Sequence, residues 1–444
     1  MEKGIVVIGA GSAGASACFS ARKRDRKIPI TCINAEPYPT YSRCALPFVI
    51  GGEIDSFDTP TVFNADFYKS QKIEFMPGTV VASIDAKNST LTTDKGLVEY
   101  KSLILATGGT ARMPDIPGKE LKGIFVLRAR DDGATILENA RPGKTAVING
   151  ASFIALEAAE ALKRRGMNVI CVIRSRALRA MIDKQFSKIV EDKLVENGIE
   201  VMRGASVSSI TGEGKVEAVK VGDNEIQADM VIMCTGTAPE VSLAKSIGVE
   251  IGTTGGIKVN EFMETNIPGI YAIGDCVEST CFFRNAPLLS GLGTIATRQG
   301  MVAGANATGA REKAPPVLGA SIMKLFDTEI GAVGLTEDAA KEAGFNLAAG
   351  SVKYPTLPHY FPGGTEAQVR LLAEKPSGRL IGGQVIVKQS AAYMVNMMSI
   401  AIFKGVTAAE LQMADFCYSP PCSDIWAAEA IAAGGLLRRL AKGS

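Results

Sequence analysis

The sequence predicts an α/β protein with two dinucleotide-binding βαβ units followed by an α+β domain, and three observations carry that prediction. Near the start, an apolar run from Ile5 to Ile8 passes through the glycine turn GAGSAG into a helical stretch from about Gly11 to Arg24, then into a second apolar run, IPITCIN. The same succession recurs as KTAVING, ASFIALEAAEALKRRG and MNVICVIRS, so the chain holds two such units. After REKAPPV (Arg311 to Val317), whose charges and prolines read as a linker, the pattern changes. Short strands (SIMKLFD, VRLLAE, RLIGGQVIV) now alternate with helices (EDAAKEAG, AAYMVNMMSIAIFKG).

Composition narrows the function. At 444 residues the chain is too long for one core, and about three domains are expected. With 48 basic against 46 acidic residues the net charge is +2, which offers no field for nucleic acid or an anionic membrane. A small-molecule role follows. No apolar run reaches the ~18 residues of a membrane span, and the glycine-rich start lacks the basic flank of a signal peptide, so a cytoplasmic protein is expected. The nine cysteines form no secreted framework. Cys18, Cys32, Cys171 and Cys234 sit in apolar runs and are expected to be buried, and Cys276 to pack beside Asp275.

In the first unit, Gly9, Gly11 and Gly14 permit a tight strand-to-helix turn and bring backbone N–H groups and a helix N-terminus against a diphosphate. The place at the end of the second strand that normally supplies a ribose-binding carboxylate holds Asn34, with Glu36 two residues later. Either side chain can accept that hydrogen bond. In the second unit Gly150, Ser152 and Ala155 stand where three glycines are expected, and Ser and Ala are small enough to let the backbone approach a phosphate. At the end of its second strand Arg174 replaces the usual acid, and Arg176 and Arg179 follow. Arginines fork onto a 2′-phosphate that a carboxylate would repel, so NADPH is read over NADH.

Cys44, in TYSRCALPFVIGGEI, precedes a short apolar segment that reads as the start of a helix. A thiol at a helix N-terminus beside Arg43 is expected to have a lowered pKa, and the thiolate is the form that attacks sulfur or peroxide.

Taken together, GAGSAG, LILATGG, VIMCTGTAP and YAIGDC, in this order and spacing, resemble the flavoprotein pyridine nucleotide–disulfide oxidoreductases across nearly the whole chain. The resemblance implies two Rossmann-like dinucleotide-binding domains plus a C-terminal α+β dimerisation domain. FAD is then expected at residues 1–117 and 241–314, NAD(P)H at 118–240, and dimerisation at 315–444. It also implies that Gly274-Asp275 serves the ribityl and diphosphate region of FAD, and that Thr107-Gly108 and Thr235-Gly236 are crossover strands. Arg43 is counted with the cofactor-binding residues, and no metal is implied.

The cysteine pattern sorts the subfamilies. Two-cysteine members carry C-x-x-x-x-C or C-x-x-C, whereas Pro47 and Val49 occupy the partner positions here. SRCALPFVIGG is instead similar to the single-cysteine group of CoA-disulfide reductases, CoA persulfide or polysulfide reductases, NADH peroxidases and NADH oxidases. The sole histidine, His359, lies far from the position of the family's C-terminal base and is expected at the surface. FCYSPPCSDIW resembles the Y-x-P-P segment that one subunit of a homodimer presents to the other's redox cysteine, which makes Tyr418 the expected proton donor. Cys422 departs from the aromatic residue usual after the prolines and is a candidate substrate-contacting thiol. By analogy with CoA-using relatives, Arg22, Lys23 and Lys72 are candidates for CoA phosphates. The implied enzyme is NADPH-preferring, uses Cys44, and reduces a small disulfide, persulfide or polysulfide. Peroxide or dioxygen reduction through a Cys44 sulfenic acid, and a flavin electron-transfer or redox-sensing role with Cys44 idle, stand as alternatives.

Overall fold

The computed structural model describes residues 3–441. The described chain divides into two compact units. One runs through Pro114 and includes Val126–Glu138 and Thr235–Val317; the other comprises Asp115–Phe125, Asn139–Cys234 and the chain from Leu318.

The first unit is built on a seven-stranded sheet. Its parallel part places Glu74–Pro77, Ile30–Asn34, Gly4–Ile8, Gly96–Leu105 and Ile270–Ala272 side by side. All five residues of Gly4–Ile8 are buried, as a strand covered on both faces requires, and this explains an unbroken apolar run in place of an alternating one. The glycine turn leads into the helix Ser12–Arg24, which packs through small buried residues such as Ala13 and Ala17 against the helix Gly293–Asn306. The first of these helices lies where the sequence pattern places it. The antiparallel strands Thr90–Thr93 and Val81–Asp85 extend the sheet edge.

The second unit contains a five-stranded parallel sheet in the order Ile124–Phe125, Met230–Met233, Thr145–Asn149, Asn168–Ile173, Glu200–Arg203. Its βαβ element carries the helix Phe153–Arg164. A five-stranded antiparallel sheet, from Ser321–Leu325 to Leu380–Val387, carries the helices Ala391–Phe403 and Ala428–Ala441. Within this unit, buried polar groups join the N-terminus of the helix Lys184–Glu196 to the antiparallel sheet. Arg370, 7% exposed at its side chain, donates to Asp183 at 2.5 Å and to Glu337. The Asp183 N–H donates to Gln384 Oε1 at 2.9 Å, and the Glu337 N–H donates to Asp183 Oδ1 at 2.7 Å.

Removing one member of such a network leaves buried charge uncompensated, which typically costs about 3–5 kcal/mol, whereas exposed i,i+4 pairs contribute below about 0.5 kcal/mol. Arg370→Ala is therefore expected to lower unfolding stability by roughly 3 kcal/mol. Lys188→Ala, which breaks an exposed pair with Asp192, is expected to leave stability near the parent's. Denaturant unfolding of both variants checks this, and equal small losses would contradict it.

Candidate functional site

Three strands of the first unit stop in line. Ile8 is in register with Leu105, and Leu105 with Ala272. Each strand end is followed by a glycine-containing turn, at Gly9, Gly108 and Gly274, and these turns line one cavity of about 470 Å³. Gly9 takes φ +107°, and a Cβ there would lie 2.2 Å from the Ala106 carbonyl oxygen. At Gly14 a Cβ would lie 1.8 Å from the Gly9 carbonyl, so any side chain would push the helix off the turn. The backbone is thus shaped to bring a helix N-terminus to the cavity floor. This geometry and volume fit the diphosphate of a dinucleotide such as FAD.

The predicted residues fall into distinct roles. Gly9, Gly11, Asn34, Glu36, Arg43, Cys44, Thr107, Gly108, Gly274 and Asp275 all line this cavity. Asn34, however, is committed to the fold. Its Oδ1 accepts from the Ala10 N–H at 3.1 Å, and its Nδ2 donates to the carbonyls of Glu36 and Tyr38 at 3.0 Å. It shapes the turn, and Glu36 is the acid at the rim. The Glu36 carboxylate accepts from the Tyr41 hydroxyl at 2.7 Å and pairs with Arg43, which also donates to the Arg128 carbonyl at 2.8 Å. Asp275 pairs with Arg128 at 2.7 Å. Arg128 also donates to the Gly109 carbonyl at 3.1 Å. Sequence reasoning missed Arg128, because RARDD reads as an ordinary charged helix start.

Thr107 Oγ1 donates to the Glu240 carbonyl at 2.6 Å, and Gly109–Ala111 pairs antiparallel with Thr237–Pro239. Thr235 Oγ1 donates to the Arg112 carbonyl at 2.6 Å, and Gly236 accepts from the Arg112 N–H. The two threonine-glycine turns therefore form one crossover.

Cys44 sits in the short turn Arg43–Ala45 that leads into the six-residue helix Leu46–Gly51, with Pro47 in its first turn. Its position is exposed, as are those of Cys417 and Cys422, while the other six cysteines are buried. Burial pushes the Cys171 and Cys234 thiols up to about 12, which keeps them protonated and inert.

In the second unit, Gly150 takes φ +141° and Ser152 occupies the N-cap position of the helix Phe153–Arg164 without a side-chain capping bond. The loop after Ile173 folds back on this turn, the Leu178 N–H donating to the Ala151 carbonyl at 2.9 Å. Arg174 and Arg179 are exposed on it. Arg176 differs from expectation: its guanidinium donates to Ile182, to Ser187 Oγ at 3.1 Å and to Asp338 at 2.8 Å, so it holds the loop. Arg22 is likewise turned inward. It is 8% exposed and donates to the carbonyls of Gln71, Asp25, Ile28 and Lys72, which fixes the turn carrying exposed Lys72. Lys23 is exposed. Tyr418 is exposed, its hydroxyl 3.0 Å from that of Tyr360, and this bond holds its pKa above the ordinary tyrosine value. His359 lies at the surface against Tyr360.

A further titrating group escaped the sequence reading. Burial, reinforced by Glu160, pushes the Glu157 carboxyl up to about 7. An acid with a raised folded pKa binds protons more tightly in the native state, so its stability contribution is lost as pH rises from ~4.5 through 7. Glu157→Gln is expected to be more stable than the parent by roughly 1–3 kcal/mol at pH 8, with the difference vanishing toward pH 4.5. Thermal unfolding across that range checks it, and a pH-independent difference would contradict it.

Comparison with known proteins gives a consistent likeness. Residues 3–301 match the pyridine nucleotide-disulphide oxidoreductase family, and residues 320–430 match the dimerisation domain of the same family. The chain is 38% identical to an NADH oxidase of Methanocaldococcus jannaschii, over 98% of this chain and 99% of that one. It is 33% identical to a CoA-dependent NAD(P)H sulfur oxidoreductase of Pyrococcus furiosus, over 96% and 97% respectively. Among solved structures, an NAD-dependent persulfide reductase from A. fulgidus superposes with a TM-score of 0.95 at 32% identity, covering 99% of this chain and 84% of that one.

Proposed function

The chain belongs to the pyridine nucleotide-disulphide oxidoreductase family, and from that premise we propose an FAD-dependent, NADPH-preferring reductase of a small disulfide, persulfide or polysulfide of the coenzyme A type. It is an NAD(P)H oxidoreductase by family. The single observation that supports the finer reading is that exposed Cys44 lines the same cavity as the glycine turn and Asp275. A bound flavin would supply the two-electron relay between nicotinamide and sulfur.

In this reading Gly9 and Gly11 hold the diphosphate, Gly14 lets the helix seat against that turn, and Glu36 accepts from the ribose. The Arg128–Asp275 pair fixes the carboxylate that meets the ribityl and diphosphate region. Cys44 attacks the substrate sulfur and carries one half as a mixed disulfide, and the displaced thiolate takes a proton. Tyr418, hydrogen-bonded to Tyr360, is the donor, presented by a second copy of the chain through its dimerisation domain. Lys23 and Lys72 remain as exposed cations for substrate phosphates, and Arg174 and Arg179 for a 2′-phosphate. Residues 1–117 with 241–314, 118–240 and 315–444 are proposed as the FAD, NADPH and dimerisation domains.

A second reading is favoured by the likeness to the M. jannaschii protein: dioxygen or peroxide as oxidant, with Cys44 cycling through sulfenic acid. Cys44→Ser addresses the chemistry. Under the disulfide reading its reduction of CoA disulfide falls at least 100-fold while NADPH still bleaches the bound flavin; an unchanged rate would refute the cysteine mechanism. Arg174→Ala is expected to raise KM for NADPH about tenfold, the worth of one charge-assisted hydrogen bond, and to leave NADH unaffected. Equal effects on both nucleotides would contradict the assignment.

A further inference from the structure

The helix Gly293–Asn306 buries a glutamine, Gln299, which is 5% exposed. Both ends of its amide are engaged. Oε1 accepts from the Gly274 N–H at 2.8 Å, and Nε2 donates to Ser279 Oγ at 2.9 Å. The Ile273 N–H still donates to the Leu105 carbonyl of the neighbouring strand, but Gly274 next to it turns the chain at φ +81°. Its N–H leaves the sheet and needs a partner elsewhere, which Gln299 supplies from 25 positions away. The helix that carries Gln299 has little room to move. Gly300 and Gly304 lie so close to the helix Ser12–Arg24 that a Cβ on either would come within 2.2 Å of a backbone oxygen, that of Ala13 and of Ala17 respectively. A Cβ on Gly274 would meet those of Ala13 and Ala296, one on each helix, at 3.1 and 3.8 Å. The turn is thus seated between two helices whose first turns, at Gly11 and Gly293, line the same cavity.

We infer that Gln299 is a positioning residue for the flavin: it fixes the backbone at Gly274, and with it the direction in which Asp275 presents its carboxylate. This role rests on the reading of the cavity as an FAD site. Arg128 holds the Asp275 carboxylate itself at 2.7 Å. Backbone and side chain are therefore fixed from two sides, which a turn through a conformationally free glycine requires. Without the glutamine oxygen the turn would relax until the Gly274 N–H met water, and FAD would have to draw it back on binding. The loss is then read as weaker FAD binding. Asn306 is the contrasting case. Buried further along the same helix, it donates to the carbonyls of Phe262 and Glu312 at 2.9 Å and accepts from the Glu312 N–H at 2.7 Å, and none of these residues lines the cavity.

The test uses purified full-length holoprotein and follows FAD release on dilution by the recovery of free-flavin fluorescence, alongside thermal unfolding and the visible circular dichroism of the bound flavin. Gln299→Met is expected to release FAD about tenfold faster than the parent, as loss of one buried hydrogen bond predicts, and to change the dichroism. Ser279→Ala, which frees the far end of the amide, is expected to change both in the same direction by a smaller factor. Asn306→Ala is expected to lose thermal stability yet keep the parent's release rate and dichroism. Parent-like release and dichroism in Gln299→Met, or in Ser279→Ala should Gln299→Met not fold, would overturn the role. Equal acceleration by Asn306→Ala would do the same, because it would mark a general loosening of the helix. A parent that carries no FAD would sink the cavity reading and this role with it, so the two failures are told apart before any variant is made.

Discussion

The register of three parallel strands is the constraint on which the candidate site depends. Gly4–Ile8, Gly96–Leu105 and Ile270–Ala272 are far apart in sequence, yet Ile8, Leu105 and Ala272 stand level. Hydrogen bonds carry that alignment past the strand ends, from the Ala106 N–H to the Ile8 carbonyl at 2.8 Å and from the Ile273 N–H to the Leu105 carbonyl at 2.9 Å. A one-residue slip would exchange the side chains packed on the two buried faces and misplace the glycine turns together. The cavity is thus a consequence of sheet geometry at the carboxyl ends of parallel strands. Its polar wall is built on that frame: Asn34 braces the first turn, Arg128 braces Asp275, and Arg43 braces Glu36.

The second unit depends on a different device. Asp183 and Arg370 are both almost wholly buried, and their pairing joins the N-terminus of the helix Lys184–Glu196 to the antiparallel sheet. Arg176 contributes to the same junction through Asp338. That is why a basic loop which reads as a phosphate site in sequence is partly structural. Arg174 and Arg179 keep the exposure that a ligand requires, and Arg176 does not.

Much of this was legible in the sequence because it is written in local patterns. The apolar runs, the glycine spacings and the charged, proline-rich linker predict the strands and helices near their observed places. The burial of Cys18, Cys32, Cys171 and Cys234 also follows from their apolar neighbours. The pairings across long sequence separations were not legible. Arg128 meets Asp275 across 147 positions, and Arg370 meets Asp183 across 187. Neither has a local signature, since an arginine in sequence looks alike whether it binds a phosphate, a carbonyl or a carboxylate. Arg22 makes the same point, for its place at a basic helix end suggested a ligand site while its guanidinium serves four backbone carbonyls. Tyr360 was overlooked because its bond to Tyr418 joins two segments 58 positions apart.

In the proposed disulfide reading one thiol, Cys44, carries the substrate during turnover. The most direct measurement is mass spectrometry of the anaerobic holoenzyme, quenched after exposure to CoA disulfide and again after addition of NADPH. The account predicts one CoA adduct on Cys44 in the first sample and its loss in the second. A Cys44 that stays unmodified while CoA disulfide is consumed, or an adduct that NADPH leaves in place, would contradict it.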